Sequence, residues 1–180
     1  MNPVGGATAE GVDHPHWGPT RKKKITWYDP TTSAAAVSRY TGLDFLRAIR
    51  DGQIPPPPMM VLLGMRITEI EPGQVVFECD PDESVYNPIG VVHGGLMCTL
   101  ADTVAACAVQ TTLGLGVAYT SIDLNVSYLR AVTTESGTLR ATGLVAKPGR
   151  RVAFSSAEIV DGAGKLVATA SSSCLIIEGG

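Results

Sequence analysis

From Met65 to Ile177 the chain mostly alternates apolar and polar residues with a period of two, and one long apolar run interrupts the alternation. Alternation of this kind predicts half-buried strands. The stretches "MRITEIE" (65–71) and "QVVFECD" (74–80) flank Pro72-Gly73 and read as a hairpin. Four further strands follow in "YTSIDLNVSYLR" (119–130), "GTLRATGLVAK" (137–147), "RRVAFSSAEIV" (150–160) and "KLVATASSSCLII" (165–177), separated by the turn sequences "TTES", "PG" and "DGAG". In the first of the four, Ile122, Leu124, Val126 and Tyr128 fall on one face and Ser121, Asp123, Asn125 and Ser127 on the other. The interruption, Gly94 to Thr112, carries Leu96, Met97, Leu100, Val104, Ala105, Ala108 and Val109. A helix apolar on every side is expected to be buried on every side. Two strands, a helix and four strands predict an α+β domain, a six-stranded antiparallel sheet wrapped around a central buried helix. The far side of that helix must also meet something, and Gly94, Gly95, Ala101, Ala105 and Ala106 leave room for a sheet or a second subunit.

Residues 1–32 are rich in Gly, Pro, Thr and Lys without periodicity, which predicts a flexible tail. Ser33 suits a helix N-cap, and Val37, Tyr40, Leu43, Phe45, Leu46 and Ile49 then recur at helical spacing, with Gly42 dividing two short helices. Four prolines, Pro55 to Pro58, close this region as a stiff connector into the first strand. The expected organisation is therefore a tail (1–32), a helical extension with its connector (33–58) and the main domain (59–180).

Composition narrows the function classes. With 180 residues, 44% hydrophobic and 17% charged, the chain suits one domain with a sizeable core. A net charge of -3 gives no global attraction to nucleic acid or to an anionic membrane. The basic cluster Arg21 to Lys24 reads as a solvated stretch of the tail, with a nuclear address or an anion patch as the alternatives. Cys79, Cys98, Cys107 and Cys174 form no CxxC pair and sit in apolar segments, as reduced core thiols of a cytoplasmic protein would. With only His14 and His16 besides His93, no metal centre or cofactor is expected, a nickel or zinc contact by His14 and His16 in the tail being the alternative. No signal peptide is apparent, and the apolar run is shorter than the ~20 residues of a membrane span, so a protein without membrane attachment is expected.

The candidate chemistry lies in the interruption. From Ser84 to Ile122 Asp102 is the one formally charged residue, and a carboxylate in apolar surroundings costs several kcal/mol unless something uses or satisfies it. Asn87, Gly90, His93, Gly94, Gly95, Leu100 and Asp102 form the pattern N-x-x-G-x-x-H-G-G-x-x-x-x-L-x-D. This pattern, with "YTSIDLNVSYLRA" and "GRRVAFSSAEI", resembles hotdog-fold acyl-CoA thioesterases of the phenylacetate-degradation (PaaI) type over about residues 60 to 177. The resemblance implies a hotdog fold and hydrolysis of acyl-CoA to free acid and CoA. It also implies a homodimer with sites at the subunit interface, or a tetramer.

The residues themselves suit that chemistry. Gly94 and Gly95 open the helix, where backbone N–H groups lack intrahelical partners and a carbonyl oxygen can approach them; equally, they could merely turn the chain. Asp102 is a candidate general base or nucleophile, or else a carboxylate satisfied by the hydroxyl of Ser121 or Thr120. Ser121 could also hold the attacking water. His93 and Asn87 could position or polarise the thioester carbonyl, or His93 could serve only as a hydrogen bonder at the helix start. Arg150 and Arg151, after the Pro148-Gly149 turn, could hold CoA phosphates or simply decorate a hairpin tip. Nine residues separate His93 from Asp102, which is ~13 Å of rise and ~900° of rotation on one helix, so the two lie on opposite faces. Either His93 is structural or the site is shared between chains. A hotdog hydratase or dehydratase, or a non-catalytic acyl-CoA-binding module, are the alternative functions.

Overall fold

The computed structural model describes residues 16–178. His14 and the first part of the expected tail lie outside the described residues. Helix α1 (Pro30–Ala36) starts within the segment expected to be a tail, because Asp29 accepts a hydrogen bond from the Thr31 N–H at 2.9 Å and Pro30 occupies the first helical position. Ser33 is therefore inside the helix rather than its cap, and its hydroxyl donates to the Pro55 carbonyl at 2.8 Å. Helix α2 (Gly42–Arg50) is capped by Thr41 and buries Phe45, Leu46, Ala48 and Ile49. The break between the helices falls at Tyr40 and Thr41, just before Gly42 rather than at it, and the glycine has another reason to be there: a Cβ would lie 1.9 Å from the Gln110 carbonyl oxygen. The prolines do not lead directly into a strand. Pro58 opens a short helix, α3 (Pro58–Leu63), ended by Gly64 in a left-handed conformation at φ 64°.

The sheet comprises β1 (Met65–Glu71), β2 (Gln74–Cys79), β3 (Val117–Tyr128), β4 (Leu139–Lys147), β5 (Val152–Val160) and β6 (Leu166–Glu178), with helix α4 (Gly94–Gln110) between β2 and β3. Its spatial order is β1-β2-β4-β5-β6-β3, antiparallel throughout, so β1 and β3 are the edges. Helix α4 packs against β2 to β6. Its Leu100 and Val104 meet a core that includes Phe77, Leu139 and Ile159, while Val109 packs with Ala153 and Cys174 in a second cluster, all essentially inaccessible to solvent. The contact with β4 is backbone to backbone, since a Cβ on Gly143 would lie 2.0 Å from the Val104 carbonyl oxygen.

Two local features differ from the period-two and all-round apolar patterns. A β-bulge shifts the β3–β6 register between Ser121 and Asp123, so Tyr119 and Ser121 face inward before it and Leu124 and Val126 after it. Ile122 is thereby turned outward and is 54% exposed, and Ser121 shares the inward face instead of opposing it. Nor is α4 buried all round in the single chain: Gly95, Cys98, Thr99, Asp102 and Thr103 form an open or half-open stripe at helical spacing. Among the described residues no helix is long and apolar enough to cross a membrane, and no cluster of three or more His, Cys, Asp or Glu could hold a metal ion.

Candidate active site

The approach to α4 is a tight loop shaped by Asn87. Its Oδ1 accepts from the N–H groups of Ile89 (3.0 Å) and Val91 (3.4 Å), its own N–H donates to the Val91 carbonyl (2.9 Å), and Gly90 takes φ 78°. One function of Asn87 is thus to build the loop that delivers His93. The His93 N–H donates to the Val85 carbonyl at 2.8 Å, and the Val92 N–H to the Val132 carbonyl at 2.8 Å, which fixes the start of α4 on both sides.

His93 is the N-cap of α4: its Nδ1 accepts from the Gly95 N–H at 2.8 Å. An Nδ1 that accepts a hydrogen bond carries no proton, so the neutral ring bears its hydrogen on Nε2, a donor on an exposed side chain. This changes the oxyanion arithmetic. The Gly95 N–H, expected to be available to substrate, is committed to His93, whereas the Gly94 N–H sits at the first helical position, where no intrahelical acceptor exists. A side chain at either glycine would press on a neighbouring ring, which would have to give way. A Cβ on Gly95 would lie 2.9 Å from His93 Nδ1, and one on Gly94 would lie 3.0 Å from Tyr128 Cζ.

Tyr128 is a neighbour that strand patterning placed only as an apolar face residue. Its hydroxyl lies 3.2 Å from the Gly94 carbonyl oxygen, to which it can donate, and 2.8 Å from Cys98 Sγ. Beside the helix start, α3 and the segment after β2 form a groove of about 430 Å3 lined by Met59, Leu62 and Leu63, by Ser84, Val85 and Tyr86, and by His93, Gly95, Leu96 and Thr99. Thr99 was legible in principle, since it lies four residues after Gly95 and three before Asp102 on the same helical stripe. Met59, Leu62 and Leu63 needed α3 to be placed.

Asp102 is half-exposed in the single chain and does not line this groove. Its Oδ1 accepts from the Ser121 hydroxyl at 2.8 Å, a contact made possible by the bulge that turns Ser121 inward. The other carboxylate oxygen remains for a second donor. The ionisable neighbours of Asp102 are held neutral. Burial pushes the Cys107 thiol up to about 12, with the Asp102 charge acting in the same direction. Burial likewise raises Cys174 and takes Tyr119 well above its ordinary range. Since a thiolate is the reactive form of cysteine, neither thiol is poised as a nucleophile beside Asp102.

The remaining sequence-derived candidates are more peripheral. Thr120 is exposed, and its side chain alternates away from Ser121. Arg150 and Arg151 are exposed in the turn between β4 and β5, and neither forms an ion pair among the described residues. The row Val152–Leu175–Thr120 across β5, β6 and β3 puts that turn near the Thr120 and Ser121 end of the sheet. In one chain the candidates therefore separate into a His93 set (Asn87, His93, Gly94, Gly95) and an Asp102 set (Asp102, Ser121, Thr120, Arg150, Arg151).

Comparison with known proteins gives the family. Residues 89–168 match the model of the Thioesterase superfamily. Acyl-coenzyme A thioesterase 13 of Homo sapiens is 33% identical over 109 residues, spanning 60% of this chain and 76% of that protein. The 1,4-dihydroxy-2-naphthoyl-CoA hydrolase of Listeria monocytogenes is 25% identical over 105 residues, 58% of this chain and 84% of that one. Among solved structures, the E. coli PaaI protein from the phenylacetic acid degradation operon superposes with a TM-score of 0.67 at 25% identity, covering 79% of this chain and 97% of that one. A phenylacetic acid degradation-related putative thioesterase from Ralstonia eutropha JMP134 gives a TM-score of 0.67 at 30% identity, covering 72% and 98%. The chain belongs to the thioesterase superfamily: its fold is the hotdog fold, and its class is that of the thioester hydrolases.

Proposed function

We propose that this protein hydrolyses acyl-CoA thioesters to a free acid and CoA, in a site shared by two copies of the chain. The observation that carries this reading is the division of labour along α4. Its start presents donors at Gly94 and His93 Nε2, and its middle presents Asp102 on an open stripe beside β3, the free edge of the sheet. Pairing of two β3 strands about a two-fold axis makes one continuous sheet and sets two α4 helices side by side in opposite directions. Asp102 of one copy then faces the helix start of the other, and the Arg150–Arg151 turn follows it towards the same site as a phosphate contact.

In this site the thioester carbonyl oxygen accepts from the Gly94 N–H and His93 Nε2–H, while Asn87 holds the loop that aims them. Water, held by Asp102 with the Ser121 hydroxyl orienting the carboxylate, gives a proton to Asp102 as its oxygen attacks the carbonyl carbon. The tetrahedral intermediate places negative charge on the oxygen facing the two donors. Its collapse breaks the C–S bond, and the departing CoA sulfur takes the proton back from Asp102. The apolar groove formed by Met59, Leu62 and Leu63 accommodates the arm of the substrate that adjoins the carbonyl.

The test is thiol release from a panel of acyl-CoAs by the native chain and by Asp102→Asn and Asp102→Ala. The expected result is release by the native protein and its loss in both variants. Release that survives both substitutions contradicts the role of Asp102. Tight CoA binding without turnover would identify a binding module, and an enoyl product without free thiol a dehydratase.

A further inference from the structure

The basic cluster Arg21 to Lys23 is used by nothing described so far, yet it is not adrift. Arg21 pairs with Glu83 at 3.2 Å, and Lys23 Nζ donates to Asp82 Oδ2 at 2.6 Å and to Ser84 Oγ at 3.4 Å. These contacts lay the N-terminal strand of chain against the segment after β2. Between the two is a cavity of about 470 Å3 lined by Arg21, Lys22, Lys23, Asp82, Glu83 and Ser84. Ser84 also lines the groove that ends at His93 and Gly95, so the two spaces adjoin at this residue. Three cations face two carboxylates there, and Lys22 makes no ion pair among the described residues. A substrate arm lying in the apolar groove between His93 and Ser84 thus ends beside a wall with a cation in excess.

We infer that Arg21, Lys22 and Lys23 form an anion subsite that receives the charged far end of the substrate arm occupying the groove. This rests on the thioesterase reading above and deepens it. The anion is carried in one of two ways: as a terminal carboxylate of the acyl group, with the CoA phosphates at the Arg150–Arg151 turn, or, where CoA instead occupies the groove, as a phosphate of CoA that takes the place of that contact. The subsite lies in an extension that precedes the residues matching the family model, so it would distinguish this chain from relatives lacking the cluster. Lys22 supplies the free charge, while Arg21 and Lys23 hold the strap and share their charge with the incoming anion. The subsite is exposed, so its contribution is screened by salt.

The experiment measures kcat/KM of the full chain on hexanoyl-CoA, adipoyl-CoA and the two corresponding N-acetylcysteamine thioesters, which lack phosphate. The variants are Lys22→Ala, Lys22→Glu and the triple Arg21→Ala/Lys22→Ala/Lys23→Ala. The expected loss is about threefold for Lys22→Ala and about tenfold for the triple variant, larger at low salt, with Lys22→Glu between them or beyond. Loss confined to both adipoyl thioesters assigns the acyl carboxylate as the anion, and loss confined to both CoA thioesters assigns phosphate. Either supports the subsite. Equal loss on all four thioesters, or no loss on any, overturns it. If the native protein hydrolyses none of them, the hydrolase reading fails and the subsite is tested by equilibrium binding. Salt-sensitive weakening of CoA or adipoyl-CoA binding in the triple variant then supports it, and unchanged binding overturns it.

Discussion

His93 does two things that are separable by substitution. Through Nδ1 it caps α4, and through the tautomer this cap enforces it presents Nε2–H outward. His93→Ala should lose about 1 kcal/mol of stability, the usual worth of a side-chain N-cap, together with activity. His93→Asn restores a good cap but not the outward donor, so the melting temperature should recover while kcat stays down by about 10²–10³-fold. Native turnover in His93→Asn would reduce His93 to a cap. Asp102→Asn is the complementary case. The Ser121 hydroxyl can still donate to the amide oxygen, so melting should barely shift, whereas kcat should fall by about 10²–10⁴-fold. Asp102 was legible in the sequence because it is the lone charge in a long apolar stretch. The inward turn of Ser121 was not legible, because strict alternation cannot anticipate the register shift that re-aims it. Nor was the capture of the Gly95 N–H, which depends on a ring orientation rather than on spacing.

At the level of elements, the period-two signal located all six strands because each buries one face against a helix, β2 to β6 against α4 and β1 against α2 and α3. It could not order them: β3 follows α4 in the chain but lies at the edge beside β6. Helix α3 was missed because six residues after a proline run carry too few turns to show a period. The closeness of α4 to the sheet yields a sharp prediction. Gly143→Ala puts a methyl group 2.0 Å from the Val104 carbonyl oxygen, so the backbones must separate, and a loss of about 1–3 kcal/mol or more is expected in denaturant unfolding. A native midpoint for Gly143→Ala would mean that the helix is not seated as described. The strap makes a prediction about pH. The Lys23 hydrogen bond, followed by that of Ser84, holds the Asp82 carboxyl down at about 2 against an ordinary 3.8. A carboxyl lowered on folding contributes above its unfolded value and loses that contribution as pH falls through the folded one. The Lys23 contact should therefore weaken between pH about 4 and 2, visible as a shift of the Lys23 ammonium resonance in acid titration, and a flat titration would contradict the pairing.

For the whole molecule, the His93 and Asp102 sets are separated along α4, one at its start and one at its middle, yet Gly95, Thr99 and Asp102 share one open stripe rather than the opposite faces expected from spacing. Helical rise makes that axial separation computable from spacing, whereas the rotation does not carry over to His93, which is the N-cap with extended backbone. What spacing cannot supply is where the open stripe of α4 and the free edge of β3 lie relative to each other, which the fold does supply. Association should give a particle of about twice the 18.8 kDa chain or a multiple of it in sedimentation. The shared site is tested most directly by complementation. Native chains are replaced by an equal mixture of His93→Ala and Asp102→Asn, each inactive alone, allowed to exchange subunits. A mixed dimer has one doubly impaired site and one with Gly94 and His93 from one chain and Asp102 from the other intact. Random exchange should thus restore about a quarter of native thiol release. Activity that stays at the level of the separate variants, in a mixture shown by mass to contain mixed dimers, would contradict the shared site.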